Sequence, residues 1–210
     1  PPQKQPSSIV TAFWVASSTR IMSLQEWFFA VPPITRTYVT GAILVTASCS
    51  LELFSPFSLY FDLRLVFFKL QLWRLFTNFF YFGQLGIDFL FHMFFLARYC
   101  RLLEDGSFRG RTCDFALMLI LGGSLMCAAS AFVSAPPFLG SSLAFMMVYV
   151  WARRNEDVRM SFLGLFQFQA PFLPWVLLGF SVLLGNSSSV DLIGIVAGHL
   201  YFFMDDVFPL

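Results

Sequence analysis

The sequence predicts an all-α integral membrane protein with six membrane helices, and three observations carry that prediction. Hydrophobic residues make up 58% of the 210-residue chain and charged residues only 12%, with 29 phenylalanines and a mean hydropathy of +0.73. That is more apolar surface than a soluble domain of this length can bury. Apolar runs recur along the chain, and its 13 Lys and Arg residues divide unevenly between the two faces that six crossings define. A net charge of +1 implies no nucleic-acid partner.

Residues 1–21, "PPQKQPSSIVTAFWVASSTRI", begin without methionine, and their apolar run Ile9 to Ala16 is too short to span a bilayer or to form a full secretory signal. They are expected to be a poorly ordered extension preceding a membrane domain over 22–210. In "MSLQEWFFAVPPITR", Ser23 and Glu26 have capping-box spacing for a short amphipathic helix lying flat on the membrane, ended by Pro32 and Pro33. Membrane helices are predicted over 36–54, 84–103, 113–134, 138–153, 171–186 and 190–205.

Between the first two lies a stretch, 55–83, rich in Phe and Leu but broken by Asp62, Arg64, Lys69, Gln71, Arg74 and Asn78. Charges at mid-bilayer cost roughly 2.5–3.5 kcal/mol each, so a partly submerged in-plane loop is expected. Ten cations (Lys4, Arg20, Arg36, Arg98, Arg101, Arg109, Arg111, Arg153, Arg154, Arg159) share the side of the termini, against three (Arg64, Lys69, Arg74) opposite. The positive-inside rule therefore puts both termini in the cytosol and 55–83 on the lumenal side.

The uninterrupted apolar runs 143–152, 172–184 and 192–204 supply about 10–13 residues each, where a ~30 Å hydrocarbon core needs about 20. Short helices must thin the bilayer or be shielded by longer partners. Cys49, Cys100, Cys113 and Cys127 have no C-x-x-C spacing and form neither a disulfide framework nor a zinc site. Asn186-Ser187-Ser188 fits the N-glycosylation pattern, but in a loop expected to hug the membrane.

The pieces "WFFAVPPITRTY", "LWRLFTNFFYFG", "RYCRLLEDGSFRGRTCDF", "YVWARRNEDVRMSFLGLFQFQAPFLPWVLLGF" and "LIGIVAGHLYFF" resemble, in order and spacing, the Derlins of plants, a catalytically dead branch of the rhomboid superfamily. The resemblance runs from Met22 to about Leu210. It implies a six-helix rhomboid-like fold in the endoplasmic reticulum membrane, multi-pass, with no cofactor or metal. It further implies a role in ER-associated degradation, moving misfolded proteins to the cytosol with a membrane ubiquitin ligase and a cytosolic AAA unfoldase, in contact with membrane lipid. Homo- or hetero-oligomers are left open. The chain ends at "MDDVFPL", where Derlins often continue into a cytosolic tail, so unfoldase recruitment is expected to be direct or indirect.

An active rhomboid needs a serine in a Gly-x-Ser-Gly setting on the fourth span and a histidine one turn before a Gly-x-x-x-Gly pair on the sixth. Here the pair is Gly194 and Gly198, which puts Asp191 at the histidine position, and the serine position falls near Gly140, beside Ser141 and Ser142. No catalytic residues are therefore expected. The alternative is an active intramembrane serine protease using Ser141 or Ser142 with His199. His199, however, lies eight residues from Asp191, about 12 Å along a helix, and about 100° off the glycine face. It is expected to be a hydrogen-bonded structural residue, or else to line a polar cavity. The Asp191 carboxylate is expected in interfacial water at the lumenal helix end. A small-solute transporter would show paired inverted repeats, and none is visible.

Gly194 and Gly198 are expected to pack the sixth span against the fourth. Trp73-Arg74 is a second family signature, an interfacial Trp beside an Arg that either snorkels or fixes the depth of the submerged loop. His92 lies among phenylalanines in "FLFHMFFLARYC", either as a neutral bonded histidine or, with Gln167 and Gln169, lining a polar path at the lateral opening that the fold implies between the second and fifth spans.

Overall fold

A computed structural model of the chain describes residues 24–132, 138–162, 164 and 166–208. The extension 1–21 and Ser23 of the expected capping box lie outside the described residues. The chain divides into two units, residues 1–31 and 32–210. In the first, α1 (Leu24–Phe29) is a short helix with Phe28 and Phe29 exposed.

The second unit holds the helices that the apolar runs predict. They are α2 (Pro33–Ser50), α5 (Ile87–Leu102), α6 (Thr112–Phe132), α7 (Gly140–Arg154), α8 (Leu173–Leu183) and α9 (Ser188–Phe202). Their bounds fall within a few residues of the predicted segments. Among the described residues, Thr112–Ser130 is the one stretch long and apolar enough to cross a membrane by itself. Pro33 opens α2, because proline's fixed φ and missing N–H suit a helix's first position; the expectation that it ended the preceding helix named only half of its role. The loop 55–83 is not featureless. It carries a 3₁₀ turn (Pro56–Ser58) and the short helices α3 (Leu63–Phe68) and α4 (Arg74–Thr77), the first of these helices capped by Asp62 Oδ1 on the Arg64 and Leu65 amides. A two-stranded antiparallel hairpin, β1 (Arg159–Phe162) and β2 (Phe166–Gln169), follows α7 where only a loop was expected.

Helix α7 is the centre. Every residue from Ser142 to Ala152 is buried, on all sides of the helix, so α7 carries apolar residues all round instead of an amphipathic stripe. Helix α9 crosses α7 most closely. A Cβ at Gly194 would collide with the Ser142 carbonyl, and one at Gly198 would lie 3.0 Å from Tyr149 Cβ and 3.2 Å from Met146 O. Only glycines allow two backbones to approach so nearly.

Polar clamps tie the ends. Pro32, at the cap of α2, offers no side-chain oxygen to the first free amides. That acceptor comes instead from Glu104, 5% exposed, in the wide turn Leu103–Ser107 after α5. Its Oε1 accepts from Ile34 N at 3.0 Å, and its Oε2 from Thr35 N at 2.8 Å and Thr35 Oγ1 at 2.7 Å. A carboxylate at a helix N-terminus is favoured by both hydrogen bonds and the dipole. At the far end of α7, Arg154 donates to Asp205 Oδ2 (2.5 Å) and Asp206 Oδ2 (3.0 Å), in the turn Phe203–Val207 after α9.

Two predictions follow from this packing. Gly194→Ala should cost about 2–4 kcal/mol and lower the thermal unfolding temperature in detergent most, Gly198→Ala less, and Gly179→Ala, whose Cβ meets open space, little or nothing. Glu104→Ala should cost about 3 kcal/mol by orphaning the buried Thr35 amide and the half-buried Ile34 amide, and Glu104→Gln, which keeps one acceptor oxygen, clearly less.

Candidate functional site

The turn between α8 and α9 begins the site. Gly185 takes a left-handed φ of 86°, which ends α8, and Asn186 N returns to Ser181 O at 3.1 Å. The turn delivers the Asn186 side chain to α5, where its Nδ2 donates to Asp88 Oδ1 at 2.7 Å. One turn further along α5, His92 Nδ1 lies 2.9 Å from the Asp88 carbonyl and 3.4 Å from its carboxylate. A carbonyl oxygen can only accept, so Nδ1 carries a proton.

From the other side come α7 and α9. Ser142, fully buried, donates through Oγ to Val190 O at 2.6 Å, which sets the first turn of α9 against the start of α7. Asp191, in that turn, is 2% exposed and accepts a 2.5 Å hydrogen bond from Ser181 Oγ at its Oδ2. A Cβ at Gly140 would sit 2.9 Å from Phe79 O and 3.0 Å from Tyr81 O, so the segment leading out of the 55–83 loop lies directly on the α7 N-terminus. Tyr38 Oη anchors that segment by donating to Phe79 O at 3.0 Å.

These elements enclose a cavity of about 210 Å³ lined by Tyr81, Phe82, Asp88, His92, Ser141, Asn186 and Asp191 among others. Beside it, sharing Asp88, His92 and Asn186, lies an apolar cleft between α5 and α8, floored by Phe145 and Val148 of α7 and flanked by Phe91, Phe95, Leu177 and Phe180. The rings of Phe91 and Phe180 meet edge to face across that cleft, 5.1 Å between centroids. A small acidic cavity and an apolar cleft thus lie side by side. Among the described residues, no group of three or more His, Cys, Asp or Glu side chains is arranged to hold a metal ion.

Ser141, Asp191 and His92 thus come together, and Gly140 lies beside them. His199 does not join them. It sits on the exposed face of α9, its Nδ1 2.7 Å from Tyr149 Oη, so the serine–His199 pairing of the protease alternative is not formed. The expectation that Asp191 lies in interfacial water is corrected, because the α7–α9 approach turns it inward onto Ser181. Gln167 and Gln169 are corrected too. They are exposed on β2, and the hairpin reaches α5 near Tyr99, whose hydroxyl lies 3.9 Å from Met160 Sδ, about two turns of helix from His92. Sequence reasoning missed Asp88, Ser181 and Asn186, the groups that position Asp191 and His92. Asp88 was visible as an acid in the first turn of a helix, but nothing local marked its partner.

Trp73 and Arg74 part company. Trp73 is 53% exposed, while Arg74 is 7% exposed and does not snorkel. Its Nη1 donates to Phe57 O and Tyr60 O at 3.0 Å each, its Nε to Gln71 Oε1 at 2.6 Å, and its guanidinium stacks 4.8 Å from the Tyr60 ring centroid. Asn78, fully buried, returns Nδ2 to Arg74 O at 2.7 Å. The arginine is the knot of the 55–83 loop. Because an ammonium cannot reproduce this fork, Arg74→Lys should loosen the loop nearly as much as Arg74→Ala, read as faster labelling of a cysteine placed at Phe57.

The Der1-like family model matches residues 31–210. Derlin-2.1 of Zea mays is 51% identical over 197 residues, covering 89% of this chain and 79% of that protein. Derlin-2.2 of Arabidopsis thaliana is likewise 51% identical, with 89% and 81% covered, and the probable derlin-2 homolog of Dictyostelium discoideum is 46% identical, with 89% and 76% covered. With a matching family model over most of its length and relatives at about half identity, this helical chain belongs to the Der1-like family of membrane proteins.

Proposed function

We propose that the protein is a non-catalytic, multi-pass factor of the endoplasmic reticulum membrane that helps carry misfolded proteins to the cytosol in ER-associated degradation. Six spans with both termini cytosolic and a submerged lumenal loop are its topology. It hands substrate to a membrane ubiquitin ligase and, directly or indirectly, to a cytosolic AAA unfoldase. Family membership supports the role, and one observation carries the non-catalytic reading. The carboxylate of Asp191 stands where the rhomboid pattern needs an imidazole base, and it is bound to Ser181. Ser142 Oγ donates its hydrogen bond to a backbone carbonyl, and His199 is bound to Tyr149. No serine is activated by these residues.

Helix lengths support local thinning of the bilayer. At 1.5 Å per residue, α7 and α9 (15 residues each) are about 22 Å long and α8 (11 residues) about 16 Å, against a hydrocarbon core of ~30 Å. A thinner membrane lowers the cost of bringing polar backbone through lipid, several kcal/mol per unsatisfied group. The loop completes the picture. Phe57, Phe67, Phe68 and Phe76 are 79%, 71%, 86% and 69% exposed, an apolar surface suited to one leaflet, and buried Arg74 holds the segments that present it.

The test is turnover of a misfolded lumenal reporter in cells lacking their own Derlins. Wild-type chain and Ser141/Ser142→Ala should both restore degradation, whereas Trp73/Arg74→Ala should slow it at least several-fold. Loss of rescue by the serine variant, with cleaved reporter accumulating only in wild type, would establish a protease instead.

A further inference from the structure

At one position of the 55–83 loop the backbone and the side chain ask for different amino acids. Helix α3 ends by folding the Lys69 and Gln71 amides back to Leu65 O, at 3.2 and 3.3 Å, and Leu70 between them takes a left-handed φ of 52°. In that conformation Cβ crowds the following carbonyl, so glycine fits best and asparagine next. Leucine has no side-chain hydrogen bond to offset the clash. The reversal itself is needed. It brings half-buried Gln71 round to accept from Arg74 Nε at 2.6 Å, with Leu72 N returning to Leu70 O at 2.9 Å. The knot at Arg74 thus accounts for the backbone at position 70 and leaves its side chain unexplained.

Little packing within the chain offsets that clash, because Leu70 is 72% exposed. Phe67, Phe68, Leu72 and Trp73 are exposed with it, so the turn forms an apolar tip. Arg64 and Lys69, also exposed, bracket the helix that leads to this tip. Cations so placed can reach lipid phosphates while the apolar groups beside them lie among the acyl chains. A strained backbone that no contact of the chain explains marks a position held for something outside it. We propose that Leu70 is the residue that sets the depth of the 55–83 loop in the adjoining leaflet, its side chain inserted among phospholipid acyl chains at the point of the tip. The inference rests on the reading of the loop's exposed rings as a leaflet-facing surface, and it names the residue whose identity is chosen by lipid against the preference of its own backbone.

The test uses the full chain in phosphatidylcholine vesicles, with Cys49, Cys113 and Cys127 replaced by alanine, buried Cys100 kept, and a nitroxide on Phe68→Cys. Its depth is read from relaxation by oxygen against relaxation by a water-soluble nickel chelate. Leu70→Gly and Leu70→Asn should each bring the nitroxide several ångströms nearer the water and slow turnover of the misfolded reporter several-fold. The thermal unfolding temperature should meanwhile hold or rise, by about 2 °C for glycine. Leu70→Met, which keeps an apolar side chain, should keep wild-type depth and turnover. A side chain that merely packs on the protein would lower the unfolding temperature when cut to glycine, and that result overturns the proposal, as does unchanged depth in Leu70→Gly. With p-benzoylphenylalanine at Phe68 in cell membranes, cross-linking should go to lipid. A discrete protein adduct overturns the proposal by putting a partner on the tip. The leaflet reading fails separately, and the proposal with it, if the nitroxide is relaxed by the nickel chelate as in water already in the chain with Leu70 intact. Depth that shifts while turnover stays normal supports the role of Leu70 and counts against bilayer thinning in retrotranslocation alone.

Discussion

Everything around the site depends on how closely α9 can lie on α7. In lipid the hydrophobic effect does not press helices together, so their association rests on packing and on polar contacts that have no better partner. Gly194 removes the side chain that would strike the Ser142 carbonyl, and Gly198 does the same one turn on against Tyr149. At that distance Ser142 Oγ reaches Val190 O, and the register of the two helices is set by a hydrogen bond as well as by shape. Asp191 follows Val190 in the same turn. Its inward direction, its meeting with Ser181 and the existence of a polar cavity are consequences of the glycine crossing.

Four buried or half-buried polar side chains are joints between elements. Glu104 caps α2 from the turn after α5, Asn186 links the α8–α9 turn to α5, Arg154 links α7 to the turn after α9, and Arg74 gathers the loop. Glu104, Arg154 and Arg74 each bind several partners and Asn186 binds one, since an unpaired group in a low dielectric is costly. A membrane protein with short helices gains little from long apolar interfaces, and such joints locate its parts.

The helices were legible in the sequence because each is a run of apolar residues bounded by charge, proline or glycine, and such patterns are local. The short helices of the 55–83 loop and the hairpin after α7 were not, since α3 and α4 form where Asp62 and Arg74 find partners and the hairpin strands are only four residues each. At the site, Asp191 at the histidine position and the glycine pair could be picked out by spacing alone. The grouping of His92 with Gln167 and Gln169 rested on the lateral opening that the family resemblance implies between the second and fifth spans, whereas the two glutamines lie exposed on a hairpin strand formed in the expected loop.

The sequence by itself determined the class of the protein: its apolar content, the positions of its helices, their shortness, the aspartate at 191 and the family signatures, all of which depend on residue type and spacing along one element. Only the tertiary structure decided what the polar residues do. Ser142 and Val190 are 48 positions apart, Thr35 and Glu104 are 69, and Asp88 and Asn186 are 98. A hydrogen bond needs its partners within about 3 Å, and no local pattern specifies which distant donor will arrive at that distance. Packing of the helices does, and it made Arg74, read as either a snorkelling anchor or the group that fixes the loop, the loop's buried knot, and turned an aspartate expected in water into the wall of a cavity.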